Sequence, residues 1–167
     1  MANAPSKRTT LTAGLTAMAV SGLGMATMAT AQATPPPPPP ACTAGDVSVS
    51  TAERPSPSEQ ERRYEIVVDA QPGAVCELSG TPEELAFHGP GGPLPMPVET
   101  EPASGERITL SGNHSAAALL TGPATEGPAR ATSVSLTLPG DDTPIRTGWV
   151  RGGVDGPLRA GSFTAGG

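Results

Sequence analysis

The chain has 167 residues, room for one domain once a processed segment is set aside. Its 21 glycines and 21 prolines form about a quarter of the chain. Only Tyr64, Phe87, Trp149 and Phe163 are aromatic, so the composition nears low complexity and points to a thin core. Net charge is −6; removing Lys7 and Arg8 with a leader leaves eight arginines, no lysine and sixteen acids, a net −8, which excludes partners held by basic clusters, nucleic acid and anionic lipid among them.

Residues 1–33 read as a signal peptide. Lys7 and Arg8 form a positive start, Leu11 to Met28 is an uncharged Ala/Gly/Thr/Leu/Met run, and Ala29-Thr30-Ala31 and Ala31-Gln32-Ala33 offer small-x-small cleavage sites. The alternative is an uncleaved anchor, because the run sits at the lower length limit for spanning a bilayer. Its small residues favour cleavage and secretion, which leaves no stable membrane insertion. Residues 34–41 follow as a proline-rich spacer. Pro35 to Pro40 are six consecutive prolines that hold polyproline II and span roughly 19 Å at about 3.1 Å per residue.

The remainder, 42–167, reads as one β-sandwich domain. Cys42 and Cys76 are the two cysteines. An even pair outside the cytoplasm bridges, and closing that loop stabilises a fold by about 3 to 4 kcal/mol in the chain-entropy model. Lipidation of Cys42 is the competing reading, set against by Pro39 and Pro40 and by the distance from the apolar run.

Short alternating runs then succeed one another. Asp46 to Ser50 is a first strand and Thr51 to Arg62 a polar loop broken by Pro55 and Pro57. Arg63 to Asp69 places Tyr64, Ile66 and Val68 on one face; Pro72-Gly73 turns the chain, and Val75 to Leu78 is expected to return beside it. Leu85 to Phe87 is a short strand. Leu94, Met96 and Val98 alternate with Pro93, Pro95 and Pro97, which confines them to a sheet edge or a covering loop. Arg107 to Leu110, Ala116 to Thr121, Thr132 to Leu138, Ile145 to Val150 and Leu158 to Thr164 complete the set, and the apolar run at 116–121 is too short for a stable helix. Seven to nine short strands separated by turn residues argue for an all-β antiparallel sandwich or barrel.

Cys42, Cys76-Glu77-Leu78-Ser79-Gly80-Thr81-Pro82, Gly91-Gly92 and Leu110-Ser111-Gly112-Asn113-His114-Ser115-Ala116 give the chain a resemblance. From residue 42 onward it resembles an actinobacterial family of secreted or lipid-anchored all-β domains of unknown function. In that family one cysteine opens the domain and another precedes a Leu-x-Gly-x-Pro turn. Thr81 stands where an aromatic is common and Ser111 where a proline is. The resemblance implies an immunoglobulin-like antiparallel β-sandwich in an extracytoplasmic setting, and no catalytic residues.

Few residues suggest chemistry. His88 precedes Gly89-Pro90 and His114 lies in a turn; neither belongs to a hydrolase signature. With Met96 they raise a copper-type metal site, although their spacing matches no ligand pattern. Asp141-Asp142 lacks the alternating oxygen ligands of a calcium loop. Trp149, flanked by Arg146 and Arg151, is the one hint of partner binding, against the reading that it fills the core. The expectation is therefore an exported, non-enzymatic β-sandwich without cofactor, secreted or at the cell surface, binding an envelope protein or glycan. The alternative is an extracytoplasmic copper-carrying or hydrolytic domain using His88 or His114.

Overall fold

The computed structural model describes residues 35–125, 127 and 129–166, and the segment read as a signal peptide, 1–33, lies outside the described residues. In chain order the strands are β1 (Val47–Arg54), β2 (Glu61–Ala70), β3 (Val75–Ser79), β4 (Glu83–Gly89), β5 (Gly92–Pro93), β6 (Val98–Thr100), β7 (Arg107–Ser111), β8 (Ser115–Pro123), β9 (Ala129–Arg130), β10 (Ser133–Thr137), β11 (Ile145–Gly148), β12 (Gly153–Val154) and β13 (Leu158–Ala165). Nine of them have four residues or more, in line with the expected all-β sandwich of seven to nine strands.

One layer is the five-stranded sheet β1-β2-β8-β13-β6. The other is built from the four-stranded sheet β11-β10-β4-β5 and the pair β3-β7, with β12-β9 as a further two-stranded piece. Period-two alternation sets which side chains turn inward. On β2, Tyr64, Ile66 and Val68 are buried; on β10, Val134 and Leu136 are, followed by Leu138. The middle strand of the large sheet, β8, contributes Ala116, Ala118 and Leu120, all at 0 % exposure. These small residues let the other layer approach, and Phe163 and Phe87 fill the space between.

Two expectations about pairing are corrected. The polar stretch after Ser50 is not loop throughout: β1 stays paired with β2 through Arg54↔Arg63, leaving residues 55–60 as the connection. The Arg54–Glu65 ion pair at 2.9 Å lies on that extension. Val75 to Leu78 does form a strand, but it does not return beside β2. Both edges of β2 are taken, by β1 and β8, so β3 crosses to the opposite layer and pairs with β7.

The cysteines meet there. Cys42 and Cys76 form a disulfide with Cα atoms 4.8 Å apart, and both are buried, at 3 % and 1 %. The end of the proline run docks beside it: Glu77 N donates to Pro40 O at 2.8 Å, and Cys42 N donates to Glu77 O at 3.0 Å. Ala41 thereby makes a parallel bridge to Glu77 and covers the outer edge of β3. The turn after β3 depends on Gly80, whose φ of 95° suits glycine, and where an added Cβ would stand 3.1 Å from Pro139 Cγ. Further on, the alternating prolines send the chain to a margin as expected, where β6 pairs in parallel with β13.

Replacing Cys42 and Cys76 together with serine should destabilise the domain by about 3 to 4 kcal/mol, read from denaturant midpoints in non-reducing buffer. An unchanged midpoint would show that the bridge contributes nothing.

Candidate functional site

The residues singled out by sequence do not assemble into one site. His114 sits at the exposed tip between β7 and β8, its amide donating to Ser111 O at 2.9 Å and its Nδ1 3.3 Å from Ser111 Oγ. Met96 packs against the core ahead of β6. His88 lies on β4, in the other layer from β6. Among the described residues no three His, Cys, Asp or Glu side chains come together as metal ligands.

Trp149 is a core residue. At 8 % exposure it follows β11 and contacts Tyr64 and Phe87, each with ring centroids 4.8 Å from its own. Its amide donates to Thr132 O at 3.0 Å, while its buried Nε1 meets no acceptor among the described residues. The ring therefore gives no exposed stacking platform, which corrects the reading of Trp149 as a partner-binding residue. Burial wins because the sandwich has only three other aromatic residues to fill its interior.

Asp141 fastens two segments together. Its Oδ2 accepts from Ala44 N at 2.7 Å and its Oδ1 from Thr143 N at 3.0 Å, tying the turn after β10 to the segment behind Cys42. Asp46 does the same locally, its Oδ2 accepting from Thr43 Oγ1 at 2.7 Å and Thr43 N at 3.0 Å. These bonds stabilise the charged forms. The Thr43 hydroxyl and then its amide hold the Asp46 carboxyl below the usual carboxylate value, and the Ala44 and Thr143 amides do so for Asp141.

The surface with the most chemistry is the outer face of β4-β10-β11. Alternation turns Val134 and Leu136 inward and leaves Ser133 and Ser135 on the outside, both half-buried. In register, Ser133 stands opposite His88 on β4 and Gly148 on β11, and Ser135 opposite Ala86 and Arg146. The side chains then cross diagonally over β10. His88 Nε2 and Ser135 Oγ are 2.8 Å apart, and Arg146 Nε donates to Ser133 Oγ at 2.9 Å. An imidazole and a guanidinium thus lean toward one strand from either side, over two hydroxyls.

Arg146 is unusual on this surface. Of the eight arginines among the described residues, Arg54, Arg62, Arg63, Arg107, Arg151 and Arg159 each pair with a glutamate. Arg130 and Arg146 have no carboxylate partner among the described residues. From sequence, Arg146 stands out only as a flank of Trp149, and Ser133 and Ser135 do not stand out at all. The signal was the Ser133-Val134-Ser135-Leu136 alternation, which places both hydroxyls outward, but the pairing of β10 with β4 and β11 is not written in it.

Concave sites lie elsewhere. An open hollow of about 420 Å³ runs along Gln60, Thr121, Pro123 and Pro157, with Glu61 and Arg159 at its sides. Its two charges are already met, Glu61 by Arg63 at 2.8 Å and Arg159 by Glu99 at 3.5 Å. Beyond Gly156 and Pro157 a second, more apolar hollow of about 340 Å³ is walled by Leu94, Met96 and Val154.

In comparisons with known proteins, the profile of a family described as a domain of unknown function (DUF4232) matches residues 42–164. No curated protein and no solved structure matches the chain.

The two lowered carboxyls predict acid sensitivity with a definite sign. Their hydrogen bonds stabilise the fold above the unfolded carboxylate value and lose that effect as pH falls through the lowered folded values. Asp141→Asn should therefore be less stable than the parent near neutrality, and the gap should shrink below about pH 4 in thermal unfolding. A gap that stays constant to low pH would show that ionisation of Asp141 does not matter.

Proposed function

The chain belongs to the DUF4232 family of domains of unknown function, and from that premise we propose that it is an exported, non-enzymatic β-sandwich acting as a binding or structural module of the cell envelope. The observation that carries this reading is the Cys42–Cys76 disulfide at the start of the domain. A buried structural bridge belongs to an oxidising compartment, and it agrees with the export signal read at 1–33 and the spacer read at 34–41. On this reading the spacer holds the sandwich away from the membrane or wall behind it, and an envelope protein or glycan is its partner. The acidic surface agrees, since it disfavours nucleic acid and anionic lipid.

The hydrolytic alternative has one observation behind it, the 2.8 Å approach of His88 Nε2 to Ser135 Oγ. A nucleophilic serine must give its proton to the imidazole. Here the Ser135 hydroxyl also reaches Ala86 O at 3.4 Å. With that bond made, His88 Nε2 is the donor, the reverse of a general base. The pair also sits on a sheet face rather than in a hollow. Both features favour adhesion over turnover.

The test is fractionation of the producing cell followed by capture of envelope material on the purified, untagged protein. The expected result is an extracytoplasmic, disulfide-bonded product cut before Thr34 that retains a specific envelope component. Labelling of Ser135 by a fluorophosphonate, or stoichiometric metal lost in His88→Ala or His114→Ala, would replace this reading with the catalytic or metal-carrying one.

A further inference from the structure

We propose that the outer face of β4-β10-β11 binds a glycan bearing isolated carboxylates, Arg146 taking the carboxylate and His88, Ser133 and Ser135 taking neighbouring sugar hydroxyls. The inference rests on the reading of the domain as an exported binding module and names the ligand class and the site.

Charge is the first argument. This is an acidic surface on which six arginines are matched with glutamates, yet Arg146 stands exposed with only a serine hydroxyl on its Nε. Its two terminal nitrogens keep the fork geometry that receives a carboxylate in two parallel bonds. The chain's net charge of −6 repels a densely charged polymer at long range. A single carboxylate set among neutral sugars meets the same guanidinium with far less of that penalty.

Hydrogen-bonding character is the second. Ser133 accepts from Arg146 and keeps its hydroxyl proton to donate, while Ser135, which donates to Ala86 O, and the Nδ1 side of the His88 ring leave further polar positions for sugar hydroxyls. The diagonal crossing brings these groups together. His88 and Arg146 belong to strands on either side of β10, roughly 10 Å apart at the usual strand spacing, and both side chains reach in toward β10. The remaining corners are Ala86 and Gly148, and a Cβ placed on Gly148 would meet nothing within 4 Å. The result is a level floor about one sugar wide, open to a chain lying across the strands.

Shape is the third, and it sets a glycan above a protein partner. Protein interfaces are anchored by buried aromatic or aliphatic side chains at their centre. The four aromatic residues are committed to the interior, at 5 %, 1 %, 8 % and 0 % exposure for Tyr64, Phe87, Trp149 and Phe163. The outward residues within the three strands, Ala86, His88, Ser133, Ser135, Arg146 and Gly148, are small or polar, and the one exposed aliphatic side chain nearby, Val150, lies past the end of β11. The acidic residues nearest along β4, Glu83 and Glu84, lie at its far end from His88.

The experiment is an amide-resonance titration of the isotope-labelled protein with two probes, a trisaccharide containing one glucuronic acid and the same trisaccharide with glucose in its place. Shifts are expected at residues 86–88, 133–135 and 146–148, with the acidic sugar binding about tenfold more tightly, the worth of one charge-assisted contact. Arg146→Gln should bring the acidic sugar to the level of the neutral one, His88→Ala should weaken both, and Arg130→Gln should change neither. Equal binding of the two sugars, indifference to Arg146→Gln, or shifts centred on the hollow beside Thr121 and Pro157 would overturn the assignment. Failure of both sugars, with envelope material still captured, would end the glycan assignment and leave the binding-module reading standing. Failure of sugars and capture together would end both.

Discussion

Tyr64 of β2, Trp149 beyond β11 and Phe87 of β4 touch across the interior, with 4.8 Å between the centroids of each successive pair. This contact ties the five-stranded sheet to the four-stranded one. The rest of the core is aliphatic: Leu78, Leu110, Leu120, Leu136, Leu138 and Leu158 are buried on both layers, with Ala116, Ala118 and Ala160 between them. The three rings add directional contact to that burial, Tyr64 tilted at 53° to Trp149 and Phe87 edge-on to it at 89°, each pair being worth about 0.5 to 1.5 kcal/mol beyond its buried area. The commitment has a consequence at the surface. With Phe163 buried as well, no aromatic side chain is left at the surface to stack on a ligand.

Sheet margins are the second constraint, because a small sandwich exposes many strand edges that could pair with another chain. Here they are covered by backbone close at hand. Pro40 and Cys42 bond to Glu77 and close the outer side of β3, beside a disulfide that fixes Cys42 in place. Pro93, Pro95 and Pro97 keep their segment out of the central ladders, and the short β6 that follows caps β13. Thr51 Oγ1 donates to Gly148 O at 2.9 Å, joining β1 to β11 where the two layers meet. The last carbonyl of the proline run therefore takes part in the fold.

What could be read from the sequence was what depends on neighbours along the chain. The inward sets Tyr64, Ile66, Val68 and Val134, Leu136, Leu138 followed from alternation, and all six are buried. Gly80 at a turn and the marginal position of Val98 followed from backbone chemistry. Pairing between strands was not legible. Val75 to Leu78 looked like the second arm of a hairpin because a turn precedes it, and only the occupancy of both β2 edges, by a strand before it and one 45 residues later, sends it to β7. The candidate face stayed hidden for the same reason. His88, Ser135 and Arg146 are spread over nearly sixty positions and become neighbours only through the register of β4, β10 and β11. Trp149 left two readings open in the sequence, a surface beside two arginines or the filling of an aromatic-poor core, and the structure places it in the core.

The arrangement of charge completes the argument. A chain with sixteen acids and ten bases has more carboxylates than cations to meet them, so an arginine placed at random on its surface finds a partner easily. Each exposed pair adds only about 0 to 1 kcal/mol to stability. Their larger effect is to neutralise: Glu53 draws in both Arg62 and Arg151, at 3.6 and 3.0 Å, and Glu77 holds Arg107 at 3.3 Å. Against that background Arg146 is kept from glutamates by its strand neighbours, which are serine, threonine and glycine. Folding does not require a guanidinium there, since its one bond is to a serine that has solvent available. A cation without a carboxylate partner among the described residues, beside hydroxyls and an imidazole on a sheet face, is the feature on which the proposed recognition of an acidic sugar depends.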